Sequence, residues 1–124
     1  MKITSFDPVI VSPDADSIVS LFESLGFEKT HAPSHTLNGN DVISNRMKHP
    51  EGYHLDVIST SADLQQDHML IRMNVDNFEE AYEILTSRGF KNVNGDKTYD
   101  VKSSKSAVME SPSGFRISIV KHIK

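Results

Sequence analysis

The feature that most constrains this chain is that it says the same thing twice. "SLFESLGFEKT" (Ser20 to Thr30) and "EILTSRGFKNV" (Glu83 to Val93) both run from an apolar helical pattern through Ser-x-Gly-Phe into a polar stretch. A second pair follows in the same order: "KHPEGYHLDV" (Lys48 to Val57) and "ESPSGFRISI" (Glu110 to Ile119) share a Pro-x-Gly-aromatic turn leading into an apolar strand. Two matched motifs in one order within 124 residues mark an internal duplication. Each half reads strand, helix, strand, strand, strand. The first module covers 1–62 and the second 63–124 of a single domain, with the linker near "SADLQQD" (Ser61 to Asp67).

Local signals support the layout. "FDPVIVS" and "HMLIRMNV" are the strands that open the halves. In the first helix, Ser12 is the N-cap candidate and Pro13 takes the first helical position. Ile18, Phe22 and Leu25 recur at helical spacing, and Gly26 is the left-handed stop. In the second, Asp76 is the expected cap with Glu79 as its capping-box partner. Phe78, Ala81, Tyr82 and Leu85 form the stripe, and Gly89 is the stop. "FEKTHAP", "DVISNRMKH" and "YHLDVIST" supply the remaining strands of half one, and "FKNVNGDKTYD", "KSAVMES" and "FRISIVKHI" those of half two. "NGND" (Asn38 to Asp41) and "NGDK" (Asn94 to Lys97) read as hairpin turns. One half alone leaves a bare sheet face and an open edge, and pairing two halves removes both.

Composition narrows the function classes. A hydrophobic fraction of 37%, a charged fraction of 24% and a net charge of -4 describe a globular chain without the basic clustering that grips nucleic acid. No apolar run approaches the roughly 20 residues of a membrane span. Asp7 and Pro8 interrupt any signal-peptide core in "MKITSFDPVIV", so the cytoplasm is the expected compartment. The absence of cysteine rules out disulfides, thiolate catalysis and Cys-ligated metals.

The doubled pattern resembles the vicinal oxygen chelate superfamily, the glyoxalase/bleomycin-resistance/extradiol-dioxygenase fold, over essentially the whole chain. "LFESLGF" resembles the family's "FY..LGF", "VDNFEEAYEILTSRGF" its second-half "V.D...A...L...G", and "SPSGFRISI" its closing "DP.G..IEL". The resemblance implies an α+β fold of two βαβββ modules in tandem. They form a curved, mostly antiparallel eight-stranded sheet around a cleft, with the helices outside. It also implies a ligand position on the first strand of each half and a carboxylate on the last strand of each half in the metal-using members. Counted from the shared motifs, these fall on Phe6, Asp56, Leu70 and Ser118. One plausible donor in four is too few for a divalent cation, which takes about three or four. A slip of two residues along a strand would offer His54, Asp56 and His68 as an improvised metal set.

Strand alternation sorts the remaining candidates. Ile71, Met73 and Val75 share a core face, as do Ile117 with Ile119 and Leu55 with Val57. His54, Asp56 and Ile58, then His68, Leu70, Arg72 and Asn74, and then Arg116, Ser118 and Val120 take the opposite face. On the first strand, Val9 and Val11 are expected in the core, with Phe6, Pro8 and Ile10 facing the cleft. Arg72 and Arg116 carry two readings. Either one or both clamp a ligand carboxylate or phosphate, or each is a solvated strand residue, or Asp56 neutralises one of them. His31 and His35, in "THAPSHTL", read as loop or edge-strand residues.

The expected function is binding of a small, partly apolar, anionic molecule, without cofactor or catalytic metal. The ligand-binding set is Phe6, His54, Asp56, Arg72, Arg116 and Ser118. Partners are a small-molecule ligand and a second copy of the chain as a homodimer, with no nucleic acid and no membrane. Two alternatives stand beside it: a divalent-metal-dependent lyase or isomerase of the glyoxalase type, and a ligand-free interaction module.

Overall fold

The computed structural model describes residues 1–37, 39–101 and 103–123, apart from the side chains of His35, Leu37 and Val101. The expected turn residue Asn38 and the His35 side chain therefore lie outside the described residues. The element order is β1 (Ile3–Ser12), α1 (Ala15–Ser24), β2 (Glu28–His31), β3 (Ser34–Leu37), β4 (Asn40–Lys48) and β5 (His54–Thr60). It continues with β6 (His68–Val75), α2 (Phe78–Ser87), β7 (Lys91–Asn92), β8 (Tyr99–Val101), β9 (Ser104–Glu110) and β10 (Arg116–His122). The fold is α+β, two βαβββ modules in tandem, each with one short strand added. The additions arise where "THAPSHTL" breaks into β2 and β3 around Pro33, and where "FKNVNGDKTYD" turns between β7 and β8. No described helix is long and apolar enough to cross a membrane.

The chain divides into two compact units. The α1 unit is Pro8–Met69, and the α2 unit is Met1–Asp7 with Leu70–Lys124. Residues 3–7 of β1 run beside β6 in the α2 unit, and residues 8–12 pair with β5 in the α1 unit. Reciprocal bonds pin the start of the chain to the end of β6. Lys2 N–H donates to the Asp76 carboxylate at 2.6 Å, and Asp76 N–H to the Lys2 carbonyl at 3.0 Å.

In the α1 unit, β1 and β5 are parallel, β5 and β4 antiparallel, and β2 and β3 both pair with β4. Ala15 and Val19 of α1 bury against Met47, Leu55 and Val57, with Ile10, Ile18, Phe22 and Phe27 packed around them. In the α2 unit, β6 and β10 are parallel, and β9 pairs antiparallel with β10, β7 and β8. Phe78, Ala81 and Leu85 bury against Met73, Val75, Ala107, Met109 and Ile119. Fully burying a Val, Leu, Ile, Phe or Met side chain stabilises its unit by about 1.5–3 kcal/mol apiece before chain entropy is counted. Leu25, expected in the α1 stripe, is exposed because the helix has ended by that point and it serves as the C-cap.

The matched motifs fold alike. Gly26 and Gly89 follow the two helices at φ 101° and 89°, in the left-handed region that ends a helix. In the first Pro-x-Gly turn, His49 N–H donates to the Tyr53 carbonyl and Gly52 N–H to the His49 carbonyl. In the second, Ser111 N–H donates to the Phe115 carbonyl and Gly114 N–H to the Ser111 carbonyl. Both helix caps lie one or two residues beyond the expected ones. Asn77, not Asp76, caps α2 by accepting from Glu80 N–H at 3.1 Å, and Asn77 Nδ2 in turn reaches Glu80 Oε2 at 3.4 Å. The cap pair is thus Asn77 with Glu80, joined through the Asn77 side chain, where Asp76 with Glu79 was expected. Before α1, Asp14 takes the cap position. Ser12 Oγ instead accepts from Asp14 N–H at 3.0 Å and donates to Asp67 at 2.6 Å.

Candidate functional site

β1 faces the opposite way from the sequence expectation. Ile10 packs into the α1 core, so Phe6, Pro8 and Ile10 share the helix side, and Ser5, Asp7, Val9 and Val11 take the other side. Motif counting slipped by one residue, and on a strand that flips every side chain. The two halves give the true equivalence. Val9 pairs with Asp56, and Arg72 pairs with Ser118. Asp56 and Ser118 each stand four residues after the glycine of a matched turn. Val9 therefore matches Arg72, and Asp7 matches Leu70. The first-strand position is Asp7, where Phe6 was expected, and Phe6 is 60% exposed on the helix side.

The facings of β5, β6 and β10 agree with the alternation. Leu55, Val57, Met73, Val75, Ile117 and Ile119 all pack on their helix sides. On the helix-free face of the α2 unit, Arg72 Nη2 lies 3.5 Å from Asp7 Oδ2, with side chains only 17% and 12% exposed. Ser118 is the register partner of Arg72 and is half-buried. Ser5 lies two residues before Asp7 on the same strand face, and Asn74 two after Arg72. The Ser5 hydroxyl and the Asn74 side-chain carbonyl oxygen are buried with no hydrogen-bond partner among the described residues. The half-buried apolar residues Leu70, Val108 and Val120 flank the group on the same face. Arg116 sits apart in character: it is half-exposed and its Nε closes on Glu110 Oε2 at 2.6 Å.

The α1 unit has its own helix-free face. Asp56 is buried there, with Arg46 Nη1 3.9 Å from Asp56 Oδ2 across the β4–β5 pair. His54 is exposed at the start of β5, and His68 is exposed at the start of β6. The candidates thus fall into separate settings: Arg72 and Ser118 in one polar group, Arg116 in an exposed pair, His54 and Asp56 on the α1 unit. Asp7, Arg46, Ser5 and Asn74 were not singled out from sequence as ligand-binding residues. Asp7 was missed through the slip on β1. Arg46 would have emerged from pairing "DVISNRMKH" against "YHLDVIST", which sets Arg46 opposite Asp56.

The inherited positions offer few donors for a divalent cation. Of the four inherited positions, Leu70 and Ser118 offer no strong donor, and the two carboxylates, Asp7 and Asp56, each have a guanidinium within 4 Å. Among the described residues, no three His, Asp or Glu side chains gather closely enough to hold a metal, His54, Asp56 and His68 included. A cation at either carboxylate would meet the positive charge of the neighbouring guanidinium.

No protein-family model matches the sequence, and comparison with curated proteins finds no match. Solved structures do match. Methylmalonyl-CoA epimerase from Mycobacterium tuberculosis is similar over 98% of this chain and 90% of its own, at 14% identity and TM-score 0.73. A variant of Streptomyces coelicolor methylmalonyl-CoA epimerase, in complex with 2-nitronate-propionyl-CoA, covers 99% of this chain and 100% of its own at 13% identity and TM-score 0.66. A glyoxalase/bleomycin resistance protein/dioxygenase superfamily member from Vibrio splendidus 12B01 covers 97% and 99% at 13% identity and TM-score 0.63. The chain has the fold of the vicinal oxygen chelate superfamily.

Proposed function

We propose that this chain binds a small, partly apolar, anionic molecule on the helix-free face of the α2 unit, without a catalytic metal. The observation that supports it is the group around Arg72. A mostly buried guanidinium is flanked by two buried polar atoms, on Ser5 and Asn74, whose hydrogen bonds are unmet. Buried polar atoms in folded proteins are nearly always paired, and two unmet ones beside a cation are a place for a ligand or an ordered water. Arg72 supplies the charge for a carboxylate. Ser5, Asn74 and Ser118 supply orientation, and Leu70, Val108 and Val120 supply apolar contact. The superfamily fold is compatible with many activities, so the site carries the argument.

A second reading, a divalent-metal-dependent isomerase, is favoured by the epimerases among the similar structures. The arginine beside each carboxylate weighs against it. Thermal-shift measurements with propionate, malonate, benzoate and propionyl-CoA, each with and without EDTA, test both. On the first reading at least one anion raises the melting temperature equally in either buffer. A ligand at about 100 times its dissociation constant adds roughly 2.7 kcal/mol. Stabilisation that vanishes with EDTA and returns with Zn, Ni or Mn supports the isomerase. No response to any anion rejects the first reading.

A further inference from the structure

We infer that Asp7 sets the charge the Arg72 site accepts, acting as a built-in competitor for the guanidinium. The inference rests on reading the Arg72 group as a ligand site. Asp7 and Arg72 are both withdrawn from water, yet their approach is 3.5 Å. A charge-assisted bond closes to about 2.7–2.9 Å, and arginine–carboxylate pairs are frequently bidentate. The exposed Arg116–Glu110 pair in the same unit does close, at 2.6 Å.

The surroundings point the same way. Among the described residues, the Ser5 hydroxyl, on the face of β1 that carries Asp7, has no hydrogen-bond partner, and neither has the Asn74 oxygen on the face of β6 that carries Arg72. A pair serving only the fold would draw such neighbours into a closed network. A guanidinium poised beside a carboxylate, with two open hydrogen-bonding groups alongside, fits a site that takes a further participant. A ligand carboxylate arriving at Arg72 meets the negative charge of Asp7. The wild-type site therefore prefers a monoanion carrying hydrogen-bonding groups to a dianion, because each added charge faces Asp7 at short range. Asp7 is a specificity-determining residue in this account.

Titration calorimetry of wild type and Asp7→Asn with propionate and malonate tests the inference. Asp7→Asn is expected to bind malonate about tenfold tighter than wild type, with a smaller gain for propionate. Adding Arg72→Gln should abolish both. Equal or weaker malonate binding by Asp7→Asn, with wild type binding propionate, overturns the role of Asp7 and leaves the Arg72 site standing. If neither protein binds either anion this inference falls, and the Arg72 reading falls with it when benzoate and propionyl-CoA also fail to bind. Asp7→Ser serves if Asp7→Asn does not fold. In wild type, NMR provides an independent readout: propionate should shift the Arg72 guanidinium and Asp7 carboxyl resonances together, and an unmoved Asp7 rejects the competition.

Discussion

Gly26 packs so closely against His49 that a Cβ on the glycine would fall 2.9 Å from His49 Nε2. The ring cannot easily retreat. Its centroid lies 5.1 Å from that of Phe27 and 5.4 Å from that of Tyr53, and its Nδ1 accepts from Glu51 N–H. The helix stop and the Pro-x-Gly turn of this half are thus fitted to each other. Gly26→Ala should lose about 1–2 kcal/mol to the left-handed backbone and about 1–3 kcal/mol more to crowding. Gly52 has φ 98° and open space around it, so Gly52→Ala should show only the backbone loss. Chemical denaturation of the two variants measures the difference, and equal losses would refute the crowding argument.

Asn77→Ala removes the acceptor for Glu80 N–H and should cost about 1 kcal/mol, within the roughly 0.5–2 kcal/mol span for N-caps. Asp76→Asn keeps an acceptor for Lys2 N–H at an exposed position and should stay within about 0.5 kcal/mol of wild type. Thermal unfolding distinguishes the two. A larger loss at Asp76 would restore it as the cap.

The cap shift shows what sequence could and could not specify. "VDN" offers two adjacent capping residues, and choosing between them needs the backbone angles at the strand end. The duplication, the helix stripes, the two stopping glycines and the facing of β5, β6 and β10 were legible because each repeats with a period or occurs twice. β1 was not. Pro8, Val9, Ile10 and Val11 are apolar on both faces of the strand, so alternation did not say which face meets the helix, and one residue of slip hid Asp7 and moved Phe6 to the wrong face. Arg72 was legible as a candidate from facing alone. Its neighbour Asp7 was not, because it lies 65 positions away (72 − 7) and only the pairing of β1 beside β6 brings it near.

Glu79, in the first turn of α2, has its pKa held below the usual carboxylate value, first by a backbone N–H bond and then by Lys105, whose Nζ lies 3.1 Å away. Because the folded pKa is the lower one, this stabilisation is present above the unfolded pKa and is lost as pH falls through the folded pKa. Glu79→Gln should therefore melt below wild type at neutral pH, and the gap should close in acid and shrink with salt. A gap that persists at low pH would assign the effect to packing.

The most direct measurement of the central claim is calorimetric titration of wild type, Arg72→Gln and Arg116→Gln with the tightest-binding anion of the panel, in EDTA. Arg72→Gln is expected to weaken binding by about 1.5–3 kcal/mol, the range for hydrogen bonds to charged groups. Arg116→Gln is expected to change it little, because that side chain is half-exposed and already closed on Glu110. Unchanged affinity in a folded Arg72→Gln, or a loss confined to Arg116→Gln, would contradict the account.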